Sequence, residues 1–155
     1  VPTILEHGGV QALLHLIDTS NGNSPCDAAH EGLANLIDHV ETRRILMREG
    51  GVKMLVHVLC SNTSNSSKMA RQAAGWMLVS LAVDPSLGEA VVAQGGLPGL
   101  IEYACSANQR QQEEAAWALA NLSAVGSNAM PMVTSGVVKT LVEMLEQRGH
   151  RQAGD

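Results

Sequence analysis

In the stretch EEAAWALANLS, residues 113–123, Ala115, Leu119 and Leu122 fall at i, i+4 and i+7 and make one apolar stripe. That spacing predicts a helix with the stripe buried. Trp117 and Asn121 are also four apart and share a face. At about 100° per residue, that face lies nearly opposite the leucines. The same arrangement occurs earlier in the chain. Trp76 and Ser80 lie away from the apolar positions of GWMLVSL (75–81), and Glu31 and Asn35 take the corresponding places in AHEGLANL (29–36). The two tryptophans of the chain are 41 residues apart.

The pattern belongs to a repeat. HGGVQALLHLI starts at His7, EGGVKMLVHVL at Glu49, QGGLPGLIEYA at Gln94 and SGVVKTLVEML at Ser135. Aligned on the second position of each glycine pair, these give Gly9, Gly51, Gly96 and Gly136, at intervals of 42, 45 and 40 residues. Ahead of the last three lie the short amphipathic segments TRRILMREG (42–50), SLGEAVVAQG (86–95) and NAMPMVTSG (128–136). Each unit therefore predicts a short first helix, a sharp glycine turn, a second helix of about ten residues, a polar loop and a longer third helix.

A glycine just past a helix end takes the left-handed conformation at little cost, and a second lets the chain reverse. Pro98 then sits in the first turn of the next helix, where its missing N–H does no harm. These glycines have no preceding strand and no phosphate-loop spacing, so a nucleotide site is not indicated. The connectors DTSNGNSP (18–25), SNTSNSS (61–67) and SANQRQ (106–111) are polar. Asn62-Thr63-Ser64 and Asn65-Ser66-Ser67 match the glycosylation acceptor pattern, but nothing else in the chain points to secretion.

Composition narrows the fold. Of 155 residues 45 % are hydrophobic, yet there is no Phe, one Tyr and two Trp. Small and aliphatic residues suit close helix–helix packing, whereas a β-sandwich would draw on aromatic and β-branched strand residues. The expected class is all-α. A net charge of −5 with ten scattered Lys and Arg gives no basic patch for nucleic acid. The densest pair, in TRR (42–44), is expected on a solvated helix face. No apolar run is long enough to span a bilayer, and no signal-peptide pattern opens the chain. Cys26, Cys60 and Cys105 are far apart with no CxxC, which argues against a disulfide framework or a zinc site and fits an intracellular, cytoplasmic or nuclear protein.

Catalytic chemistry finds little support. The six histidines form no HxxH, HExxH or His/Cys cluster. His15 and His57 occupy equivalent second-helix positions, as does Glu102, and read as repeat inheritance. Cys60 and Cys105 are equivalent too and are expected as small buried hydrophobes. No nucleophile, kinase or metal motif is present, so no catalytic residue, metal ligand or cofactor is assigned.

With GGVQALLHLI, GGVKMLVHVL, GGLPGLIEYA and EEAAWALANLS in view, the chain resembles the armadillo-repeat family, over about residues 1–147. EAAWALANL is similar to what importin-α-like and β-catenin-like members carry in the third helix. The resemblance implies a right-handed α-solenoid of three-helix units at about 1–38, 39–83 and 84–125, a partial unit at 126–147, and a flexible tail at 148–155. VPTILEHGG looks like the tail of a first helix. The terminal helices, Val137 to Leu145 in particular, predict self-association.

In such a solenoid the third helices line the concave surface. The resemblance thus places Glu31, Asn35, Trp76, Ser80, Glu113, Trp117 and Asn121 there. In importin-α-like proteins Trp-x-x-x-Asn pairs hold basic extended peptides; only Trp117–Asn121 matches that pair in full. An Asn side chain offers a donor and an acceptor to a peptide backbone, and indole faces attract cations. Glu31, Glu113 and Glu114 make the surface mildly acidic and favour basic ligands, although Glu113 and Glu114 equally suit the first turn of a helix. Packing of both tryptophans between third helices is the structural alternative. The leading expectation is a non-enzymatic module that binds an extended peptide or disordered protein segment. The alternatives are a spacer in a scaffold and a regulatory domain of a larger signalling or ubiquitin-ligase protein.

Overall fold

The computed structural model describes residues 8–19, 24–60, 68–105 and 108–152. Among them are ten α-helices and no strand. The first unit contributes α1 (Gly9–Thr19) and α2 (Ser24–Leu36). The second has α3 (Val40–Arg48), α4 (Gly51–Cys60) and α5 (Lys68–Val83). The third has α6 (Gly88–Ala93), α7 (Leu97–Ala104) and α8 (Gln109–Ser123). A 3₁₀ turn (Gly126–Asn128), α9 (Ala129–Thr134) and α10 (Val137–Gln152) follow. None of these helices is long and apolar enough to cross a membrane.

The third helices stack in order: α5 packs on α2 and on α8. The second helices α4 and α7 pack on each other and on the third helix of their own unit. One continuous core results, in which Leu33, Leu55, Met77, Leu78, Leu81, Leu100, Leu119 and Leu122 are fully buried. The fold is the all-α solenoid of three-helix units, and each unit completes the burial of its apolar stripe against its neighbours.

The turn between first and second helices repeats in detail. Gly8, Gly50, Gly95 and Gly136 have φ of 72°, 75°, 83° and 87°. After α6 the Gly96 N–H donates to the Val91 carbonyl at 2.9 Å and the Gly95 N–H to Val92 at 3.0 Å, a Schellman closure. The left-handed residue is thus the first glycine of each pair. Gly136 corresponds to Gly95 and not, as the sequence alignment had it, to Gly96. The second glycine has another cause: a Cβ at Gly96 would lie 2.6 Å from the Val91 side chain. The last unit places Val137, 2 % exposed, at that position.

Other expectations shift. In TRR, Thr42 is fully buried and Arg43 largely so, and only Arg44 lies in solvent. Cys60 and Cys105 are exposed, at the ends of their helices. What cover their thiols have raises both pKa values, and Glu102 adds to the effect, which leaves little thiolate. Helix α10 runs on to Gln152, through residues expected to be tail. The start of the chain, the connector 61–67 with its two acceptor patterns, and residues 153–155 lie outside the described residues.

Candidate interaction surface

Trp76 on α5 and Trp117 on α8 lie on the outside of the stacked third helices, 36 % and 60 % exposed. Their helices bury the opposite sides: Ala74, Met77, Leu78 and Leu81 on α5, and Ala115, Ala118, Leu119 and Leu122 on α8. The offset between tryptophan and leucine positions therefore holds in three dimensions. Both indoles border one open depression of 590 Å³, with Asp38, Arg43, Asp84 and Glu114 among its other walls. Ser80 lines it as well.

The polar wall is built by a bridge between units. Arg43 Nε donates to Asp84 Oδ2 at 3.1 Å, and both side chains are more than four-fifths buried. Its Nη1 donates to the carbonyls of Ile37 at 2.9 Å and Asp38 at 3.0 Å, at the end of α2. The Ser86 hydroxyl donates to Asp84 Oδ1 at 2.6 Å and its N–H at 2.9 Å. The hydroxyl is the chief reason the Asp84 carboxyl titrates below the ordinary aspartate range; partial burial opposes it, and the Ser86 N–H and Arg43 assist it.

Glu114 forms the neighbouring wall. It accepts from Arg110 Nε at 2.9 Å and from the Tyr103 hydroxyl at 3.3 Å. Burial, then Glu114, pushes the Tyr103 pKa far above its usual value, so this phenol stays protonated and serves as a donor. The depression thus carries three carboxylates against one guanidinium, all on its walls.

The expected surface residues separate into groups. Trp76, Ser80 and Trp117 meet at the depression. Asn121 is half-buried, one turn beyond Trp117 on α8, and Glu31 and Asn35 are exposed on α2. Glu113 points elsewhere: it accepts from Arg148 of α10 at 3.0 Å and from Gln109 at 2.9 Å. Glu113 and Glu114 stand on opposite sides of Trp117, since residues four and three positions back fall to either side of it on a helix. Neither lies in a first turn, because α8 starts at Gln109 behind an Asn108 cap. Arg43 and Asp84 were missed because the bridge joins residues 41 apart that do not recur from unit to unit.

No group of three or more His, Cys, Asp or Glu side chains is placed to hold a metal among the described residues. Residues 89–124 match the family model for the Armadillo/beta-catenin-like repeat. The match spans α6 to α8, the unit that carries Glu114 and Trp117. A repeat of this kind marks a protein-interaction or scaffold module. No curated protein matches the chain in a sequence search.

Proposed function

We propose that this chain, an armadillo-repeat solenoid, holds an extended, positively charged protein segment along the surface of α2, α5 and α8. The observation that carries the reading is the pair of exposed indoles one repeat apart, Trp76 and Trp117, bordering one carboxylate-walled depression. An indole exposed to water has a reason to be there when a ligand covers it. Each cation–indole contact contributes about 0.5–2 kcal/mol. Asn35 and Asn121 supply donors and acceptors for the main chain of the ligand on either side. Glu31, Asp38 and Glu114 favour Lys or Arg over acidic residues in the bound segment.

Selection from a library of linear peptides displayed on phage, followed by anisotropy titration of the enriched peptides, tests this. Wild-type chain is expected to enrich Lys- and Arg-containing sequences. Trp117→Ala, with helicity unchanged by circular dichroism, is expected to bind them at least about tenfold more weakly. Enrichment of acidic sequences, or wild-type affinity in both the Trp76→Ala and the Trp117→Ala chain, would overturn the reading. A second reading is a rigid spacer within a scaffold, favoured by the Arg43–Asp84 bridge that ties successive units together. Absence of any enriched peptide would support it.

A further inference from the structure

A guanidinium carries five N–H groups, and on Arg43 the bonds within the protein use those of two nitrogens. Nε donates to Asp84 Oδ2, and Nη1 donates to the carbonyls of both Ile37 and Asp38. Nη2 has no partner among the described residues. The side chain is 16 % exposed and lines the depression together with Trp76, Ser80 and Trp117. A planar group fixed by three bonds offers its remaining donors at a set place and angle.

The row of amides on the third helices is broken at this place. Helices α2 and α8 carry Asn35 and Asn121, but α5 carries Ser80, which precedes Asn121 by 41 residues as Trp76 precedes Trp117. An amide presents two N–H groups and reaches farther from its helix than a hydroxyl does. Arg43 stands where that amide is missing. It comes from α3, a first helix, and not from the third helices. Register on Gly50 and Gly95 puts Gly88 at its place in the next unit, so the guanidinium belongs to this joint and does not recur at the following one.

The acceptor that suits Nη2 is a neutral one. Asp84 at 3.1 Å balances the Arg43 charge, and α2 turns the negative end of its dipole toward the same guanidinium. Asp38 and Glu114 stand on the same walls and repel a further carboxylate. We propose that Arg43 Nη2 donates to a main-chain carbonyl of the bound segment where it crosses α5, in place of the amide that Ser80 does not supply. This rests on the groove reading. It adds a ligand-binding residue outside the third helices, one that fixes the register of the segment at a single joint.

The probe is hexalysine, acetylated and amidated, titrated into the full chain by calorimetry. Its only acceptors are amide carbonyls. Arg43→Lys, which keeps the charge, is expected to bind it at least about fivefold more weakly. Ser80→Asn in the Arg43→Lys background is expected to recover most of that loss, which a purely structural role of Arg43 would not allow. In the wild-type chain the Nη2 N–H signals of Arg43, identified by their absence from Arg43→Lys, are expected to shift and to exchange more slowly with water at saturation. Equal affinity of wild type and Arg43→Lys would overturn the assignment and leave the groove reading standing. So would a weaker Arg43→Lys chain that Ser80→Asn does not rescue, with the Nη2 signals unmoved, because Arg43 would then act only through its bridge to Asp84. No saturable binding by wild type up to about 1 mM hexalysine would overturn the groove reading, and this assignment with it.

Discussion

Arg43 Nε reaches Asp84 Oδ2 at 3.1 Å, and in doing so joins the first helix of one unit to the turn that opens the next. The same guanidinium ties down two carbonyls at the end of α2, so one side chain links parts of three successive units. Arg43→Ala leaves a mostly buried carboxylate and two carbonyls without this donor. It is expected to cost about 2 kcal/mol in denaturant unfolding. Arg43→Lys keeps the charge but cannot serve all three acceptors in one plane, and is expected to recover less than half of the loss. A cost below about 0.5 kcal/mol for Arg43→Ala would reduce the bridge to an ordinary surface pair.

Acid unfolding reads the same bridge from its other side. The folded state holds the Asp84 pKa below its unfolded value, chiefly through the Ser86 hydroxyl. The ionised group therefore adds stability above the unfolded pKa of about 3.9 and loses it as pH falls through the lower folded value. Asp84→Asn removes that contribution and leaves the other carboxylates in place. The stability gap between wild type and Asp84→Asn is expected to be largest near neutral pH and to shrink below about pH 4. Urea titrations of both proteins from pH 7 to about pH 3 measure it. A gap that is constant across the range would show that Asp84 titrates alike in both states.

Much of this arrangement was legible in the chain because repetition writes the same constraint several times. The left-handed turn recurs at Gly8, Gly50, Gly95 and Gly136, and the buried stripe opposite Trp117 follows from helical phase. What occurs once was not legible. Arg43 and Asp84 meet only because two units pack, and no spacing within one helix announces it. Glu113 and Glu114 are adjacent in sequence, yet one turns toward α10 and the other toward α5. Phase alone says that they diverge from Trp117 but not which neighbour each will find. The glycine register slipped by one at the last unit because Ser135-Gly136 keeps the left-handed residue and replaces the second glycine with Val137.

Gly75 lies against the Tyr103 ring, and a Cβ there would overlap it. Gly75→Ala is expected to force the ring outward and cost about 1–3 kcal/mol, the usual range for an overfilled core. Tyr103→Phe keeps the ring and removes the hydroxyl, with its 3.3 Å bond to Glu114 and its hydrogen bond with Gln111. It is expected to cost no more than about 1 kcal/mol. A Gly75→Ala cost no larger than that of Tyr103→Phe would show that the ring moves aside without strain. Thermal unfolding of the two variants beside wild type decides between them.

The two tryptophans differ from the leucines beneath them in a way stability alone can show. Leu119 is fully buried, and Leu119→Ala is expected to cost about 2–5 kcal/mol. Trp117 is 60 % exposed, and Trp117→Ala is expected to cost under about 1 kcal/mol despite removing a larger side chain. Trp76, at 36 %, falls between. Fluorescence supplies an independent scale, because the chain holds no other indole. In Trp76→Phe the remaining Trp117 is expected to emit at longer wavelength and to be quenched more readily by acrylamide than Trp76 in Trp117→Phe. A Trp117→Ala chain that loses as much stability as Leu119→Ala would make this indole a packing residue. Its exposed face would then no longer argue for a ligand.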